Sequence, residues 1–220
     1  MRDGLHVIVF ASQKGGVGKT TLTANLGVAA ELAGDGPAVL IDTDPQGSLA
    51  AWWNAREAET PALAPTTLNE LPEKIKALGE ARFRYALVDT PPAITDAIRA
   101  VVRRADFVVI PVKASPHDLR AVGRTVEIVQ HEGKPFAFVV TQAKSNALLT
   151  IQAMAALSEH GVVAPTVVHD RVDYAASMTD GRTVLETDSR GRSALETTAL
   201  WEFVKGRMTE STKARKAMVA

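Results

Sequence analysis

Ten residues near the amino terminus, Ser12-Gln13-Lys14-Gly15-Gly16-Val17-Gly18-Lys19-Thr20-Thr21, constrain this chain more than any other stretch. They follow the apolar run His6–Ala11 and lead at once into a segment of helical length, Lys19–Ala33. A buried strand that delivers glycines to the start of a helix builds an anion site. Glycine lets backbone N–H groups curl round phosphate oxygens, and the helix terminus adds partial positive charge. In such a loop Lys19 reaches the β- and γ-phosphates and Thr20 holds Mg2+. The alternative, a glycine-rich turn with an incidental lysine, requires a chance match that is rare at ordinary glycine usage.

The rest of the chain supplies the frame such a loop needs. Apolar runs at His6–Ala11, Ala38–Asp42, Tyr85–Asp89, Phe107–Val112, Phe136–Thr141 and Val162–Val168 alternate with helix-length segments at Lys19–Ala33, Ala93–Arg104, His117–His131 and Ala147–His160. Continuous runs such as Val7-Ile8-Val9-Phe10 lack the period of two that marks a half-solvated strand, so both faces of the sheet are expected to be covered. The expected fold class is therefore α/β: a doubly wound, mostly parallel twisted sheet flanked by helices. Residues 58–67, with two prolines and three threonines, read as a surface connection. The expected organisation is one domain over residues 1–208, with a last helix at Ala194–Met208, and a basic, frayed tail over 209–220.

Composition narrows the function classes. With 220 residues the chain buries roughly 70% of its unfolded surface and needs no disulfide or structural metal to fold. It has no Cys, which excludes a disulfide framework, a thiolate zinc site, an iron–sulfur cluster and a cysteine nucleophile. The apolar run Leu5–Ala11 is too short for a signal segment, and no stretch approaches the roughly 18 apolar residues of a membrane span, so the expected location is cytoplasmic. The 25 Lys+Arg balance the 25 Asp+Glu. That zero is uneven, however, because 203–220 holds Lys205, Arg207, Lys213, Arg215 and Lys216 against Glu210, a net +4 that leaves −4 elsewhere. His6, His117, His131, His160 and His169 show no metal-binding spacing and read as surface or loop residues. Trp52 and Trp53 read as packing residues at the start of a helix, one of them free to face a partner.

Gln13 stands where the general template has a glycine, and a second lysine, Lys14, opens the loop. Lys-Gly-Gly-x-Gly-Lys-Thr-Thr resembles the deviant phosphate loop of the ParA/MinD ATPases, a P-loop subgroup that includes partition proteins, MinD and the nitrogenase iron protein. The resemblance implies ATP and Mg2+ as ligands and Lys14, Gly15, Gly16, Val17, Gly18, Lys19, Thr20 and Thr21 as the nucleotide-binding residues. It makes Lys14 a signature lysine that reaches across a nucleotide-sandwich homodimer to the partner's ATP. Independently, a second cation near a triphosphate stabilises charge that grows during transfer. Asp42-Thr43-Asp44-Pro45-Gln46 resembles the family's switch segment, which implies that Asp44 activates the attacking water and that Asp42 sits near the metal's water shell. Val88-Asp89-Thr90-Pro91-Pro92 resembles its third motif, with Asp89 on Mg2+. The implied catalytic residues are then Lys14, Lys19 and Asp44, and the implied metal residues Thr20, Asp42 and Asp89. The likeness spans Leu5 to about Leu185, and its specific motifs lie in the first ninety residues.

Partition ATPases of this family bind DNA without sequence preference when dimerised, through basic residues near the carboxy terminus. By that resemblance Arg171, Lys205 and Arg207 are candidate DNA contacts, with Arg182 and Arg192 behind them, and the ATP-bound form is expected on the nucleoid. A solvated basic tail is the plainer account of the same residues. The resemblance further implies a ParB-like or other cargo adaptor that stimulates hydrolysis. No membrane contact is expected, since Thr209–Ala220 offers only Met218 and Val219 as large apolar residues, too little for the terminal anchor of a MinD-like protein. The overall expectation is a slow, dimerising switch ATPase that segregates or positions a plasmid, chromosome or protein cluster. The competing expectations are a metabolic P-loop kinase or ligase, and a MinD-like positioning ATPase.

Overall fold

The computed structural model describes residues 4–93, 95–144 and 148–219, with the backbone alone described at 212 and 214–219. Among them lie β1 (His6–Phe10), α1 (Lys19–Leu32), β2 (Ala38–Asp42), α2 (Ser48–Asn54), β3 (Ala62–Leu63), α3 (Leu71–Glu80), β4 (Tyr85–Asp89), α4 (Asp96–Val102), β5 (Phe107–Lys113), α5 (Pro116–His131), β6 (Phe136–Thr141), α6 (Leu148–Ser158), β7 (Val162–Val163), α7 (Val172–Ser177), α8 (Val184–Thr187) and α9 (Arg192–Val219). The strands form one sheet in the order β3-β2-β4-β1-β5-β6-β7, and every pairing is parallel. β1 thus lies near the centre, between β4 and β5, where the winding reverses. That is where an open α/β sheet leaves a crevice beyond its carboxyl ends.

The continuous apolar runs bury both strand faces, as expected of parallel strands covered by helices. Ile8, Phe10, Leu40, Leu87, Val109 and Val139 point into one core with α1, α2, α7, α8 and α9. Their neighbours Val7, Val9, Val39, Ile41, Val88, Val108, Ile110 and Val140 point into a second core with α3, α4, α5 and α6. On the first face α1 packs so closely that a Cβ on Gly27 would come within 2.4 Å of Leu40 Cδ2, which explains a glycine in mid-helix despite its low helical propensity. Register sets the carboxyl edge: Asp89 is level with both Phe10 and Asp42. The ends of β1, β2 and β4 therefore meet at one place.

Several expectations change. Residues 58–67 do not merely connect, because Ala62–Leu63 forms the edge strand β3 beside Val39 and Leu40. β7 keeps only two residues of the expected Val162–Val168, since Pro165 lacks the N–H a longer ladder needs. Helix α3 was absent from the expected pattern. The expected helix start at Ala147 lies outside the described residues. The last helix runs unbroken from Arg192 to Val219, in place of a helix at 194–208 and a frayed tail. Trp201 anchors it: fully buried, it donates its indole N–H to Asp35 Oδ2 at 2.8 Å and sets its ring edge-on to Tyr85, with centroids 5.0 Å apart. Among the described residues no helix is long and apolar enough to cross a membrane.

Candidate functional site: the phosphate-loop cleft

The loop after β1 owes its shape to two glycines in the left-handed region, Gly16 at φ 69° and Gly18 at φ 90°. Gly18 is the N-cap of α1, has no capping side chain, and is followed by no acid in the first turn. The unpaired N–H groups and positive end of the helix are thereby left for an outside anion. The back of the loop is tied to the end of β6: Thr141 Oγ1 donates to the Val17 carbonyl at 2.8 Å and Gln142 Nε2 to the Gly16 carbonyl at 2.7 Å. Gln142 holds φ at 50°, a left-handed conformation uncommon outside glycine, while it makes that bond.

Lys19 is buried and donates from Nζ to the Lys14 carbonyl at 3.2 Å. Burial holds its ammonium below the usual lysine range, against the pull of Asp89 and Asp44. Thr20 Oγ1 donates to Asp89 Oδ2 at 2.5 Å. Asp89 is almost wholly buried, and burial pushes its carboxyl up to about 7, opposed by the Thr20 bond and reinforced by Asp42. Its other oxygen, Oδ1, is buried without any hydrogen-bond partner. Thr43 Oγ1 donates to the Asp89 carbonyl at 2.6 Å and Thr90 Oγ1 to the Phe10 carbonyl at 2.7 Å, which pins three strand ends together.

Asp42 accepts the N–H of Asp44 on Oδ1 at 3.0 Å and that of Ala50 on Oδ2 at 2.9 Å, so it shapes the switch segment and seats the start of α2. Asp44, half-buried, accepts the Gln46 N–H at 3.0 Å and lines the cleft. Lys14 is exposed on the shoulder of the loop. The sequence-derived set therefore converges: Gly15, Gly16, Gly18, Lys19, Thr20, Thr21 and Asp44 all line one open cleft of about 960 Å³. Val17 is buried beneath it.

Of the far wall of the cleft only Thr141 and Gln142, which the family resemblance places at the adenine pocket, were legible in the sequence. Thr141, Gln142, Val168, His169, Asp170, Arg171 and Tyr174 line it. His169 Nδ1 lies 2.8 Å from Glu196 Oε1, and Arg171 Nη2 donates to the same oxygen at 2.7 Å. His169 is thus an organised part of the cleft, where the sequence suggested an ordinary loop residue, and the missing signal was Glu196 on α9. Arg171 belongs to this wall, and its guanidinium is already engaged. Lys205 is also held, at 2.9 Å from Asp35 and 2.8 Å from Glu202, while Arg207 pairs with Glu210 at 2.9 Å. Arg182 pairs with Asp180. Trp52 is buried, donating to the Arg182 carbonyl at 2.9 Å, and Trp53 is half-buried, donating to the Pro61 carbonyl at 2.8 Å.

A family model described as the CobQ/CobB/MinD/ParA nucleotide binding domain matches residues 8–184. The chain belongs to that family. It is 32% identical over 200 residues to the maintenance of carboxysome distribution protein A of Halothiobacillus neapolitanus, across 86% of this chain and 91% of the relative. Its fold matches the ATP complex of a Cyanothece McdA variant (TM-score 0.72, 23% identity, 93% of this chain and 96% of that one). It also matches MinD of Pyrococcus horikoshii with Mg-ADP (TM-score 0.76, 16% identity, 91% and 96%). The family is one of nucleotide-binding domains, and its chemistry implies Mg2+. The residues present fit that ion: Asp89 Oδ1 has no partner, Thr20 Oγ1 is its neighbour, and both are hard oxygens. Among the described residues no group of three His, Cys, Asp or Glu is placed to hold a metal ion.

Proposed function

We propose that this chain is a switch ATPase that dimerises around ATP, binds DNA nonspecifically in that state, and positions a cargo, with hydrolysis stimulated by an adaptor protein. The observation that carries the reading is the convergence of Lys19, Thr20 and Asp44 on one cleft, with Asp89 bonded to Thr20 behind it and Lys14 exposed at its shoulder. The likeness to a carboxysome distribution protein favours a protein assembly as the cargo.

In this reading the loop N–H groups and the start of α1 bind the phosphates, and Lys19 exchanges its bond to the Lys14 carbonyl for phosphate oxygens. Thr20 and Asp89 hold Mg2+, which when bound neutralises charge on the triphosphate. Asp44 orients the water that attacks the terminal phosphorus. Lys14 of each subunit reaches the nucleotide of the other and stabilises charge that grows on the leaving oxygen. The far wall, with Tyr174 and the Glu196-anchored pair His169 and Arg171, borders the base and ribose. For DNA, Arg207 and Lys213 are the contacts this reading favours. Lys213 is exposed and Arg207 is held only by a neighbour one turn away, whereas Arg171 and Lys205 already have buried or half-buried acid partners.

Lys14→Ala tests the reading. It is expected to leave nucleotide affinity within about threefold of wild type and to abolish turnover, because it acts on the partner's nucleotide across the dimer and not on that of its own subunit. A variant with unchanged turnover contradicts the trans-acting lysine.

A further inference from the structure

Lys113 ends β5, level with Thr141 of β6, the residue whose hydroxyl holds the phosphate loop. Its backbone is fixed on both sides, since its carbonyl accepts the Ser115 N–H at 2.7 Å and Ser115 caps α5. The side chain is half-buried, and its Nζ lies 3.9 Å from where a Cβ on Gly16 would stand. Among the described residues no other side chain comes as near to that side of Gly16. Among the described residues no ion pair or hydrogen bond engages this ammonium. A cation partly withdrawn from water and left unpaired is costly until an anion arrives. The anion its position offers is the one the loop was built to hold.

We propose that Lys113 is a third cation of the nucleotide site, acting across the bare face of Gly16 to set the preference of the loop for a triphosphate over a diphosphate. The inference rests on the ATP-binding reading above. Gly16 is part of the arch that lines the cleft, three residues before Lys19, and presents no side chain of its own toward the ammonium. Lys113 itself flanks the arch from the β5 side, so it acts by charge and not as a catalytic residue. ATP carries one more negative charge than ADP, and a half-buried ammonium beside the loop rewards that difference.

The test is the affinity of the full chain for a non-hydrolysable ATP analogue and for ADP, both with Mg2+, in wild type and in Lys113→Met, Lys113→Gln and Lys113→Arg. Loss of the charge is expected to weaken the ATP analogue about tenfold and ADP less than about threefold, with the loss shrinking as salt rises. Lys113→Arg is expected to restore the wild-type ratio, which a purely structural role of the lysine stem would not do. An unchanged ratio in both neutral variants, with wild-type melting behaviour, overturns the proposal and leaves the ATPase reading standing. A wild-type chain that binds neither nucleotide overturns the ATPase reading itself, and this proposal with it.

Discussion

Asp89 carries the most constrained charge in the site, and its pH behaviour follows from burial. Its carboxyl titrates near 3.8 when unfolded and at about 7 when folded, so between those values the folded state binds the extra proton. Stability of the metal-free protein therefore falls as pH rises from about 4 to about 7 and levels off above that. Thermal melting in EDTA is expected to show this slope in wild type and to lose it in Asp89→Asn, which should melt higher than wild type at about pH 8. With Mg2+ and ATP the order should reverse, because only the native carboxylate can hold the ion. A wild-type melting temperature that is flat over this range contradicts the assignment of a buried, strained carboxylate. Asp89 was legible because a carboxylate ending an apolar strand stands out in a sequence. The His169, Glu196 and Arg171 cluster was not, because its acid lies 25 to 27 residues away on another helix and only packing brings the three together.

Elements were legible in proportion to how much apolar surface they bury. The inner strands β1, β2, β4, β5 and β6 are covered on both faces, so their runs of Val, Ile and Leu have no period to misread. Of the edge strands, each paired through two residues, β3 left no mark in the expected pattern, whereas β7 is the start of the expected run Val162–Val168. Helix α3 did leave one: Leu71, Ile75 and Leu78, spaced four and three apart, form its buried stripe. Helix α2 is fastened by Arg56, whose side chain is 3% exposed; it meets Glu186 at 2.6 Å, donates to the Gly181 carbonyl at 2.7 Å and lies 5.3 Å from the Trp52 ring. Arg56→Met is expected to cost about 3 kcal/mol in urea unfolding, since it leaves the partly buried carboxylate of Glu186 with Thr183 but no cation beside it. Helix α9 depends similarly on Trp201, and Trp201→Ala should cost about 3–5 kcal/mol for the cavity and the lost bond to Asp35. A cost under about 1 kcal/mol for either variant would show that the helix is held by something else.

For the molecule as a whole, zero net charge conceals an acidic body at −4 and a basic terminal segment at +4. Most of that segment lies on one continuous helix, on which the Lys213 side chain is exposed. DNA retention in ATP is expected to fall steeply between about 50 and 200 mM salt. Charge reversal at Arg207 and Lys213 should weaken it while leaving ATP turnover unchanged. Retention indifferent to salt or to nucleotide contradicts a backbone-contact surface. The central claim, that ATP closes a dimer across the phosphate loop, is tested most directly by the mass of the protein in solution. Asp44→Ala should bind ATP without hydrolysing it. With ATP and Mg2+ that variant is expected to elute at twice the 23.4 kDa protomer mass, to return to the protomer mass with ADP, and to fail to dimerise when Lys14→Ala is added. A single protomer mass under ATP saturation, for Asp44→Ala and wild type alike, would contradict the account.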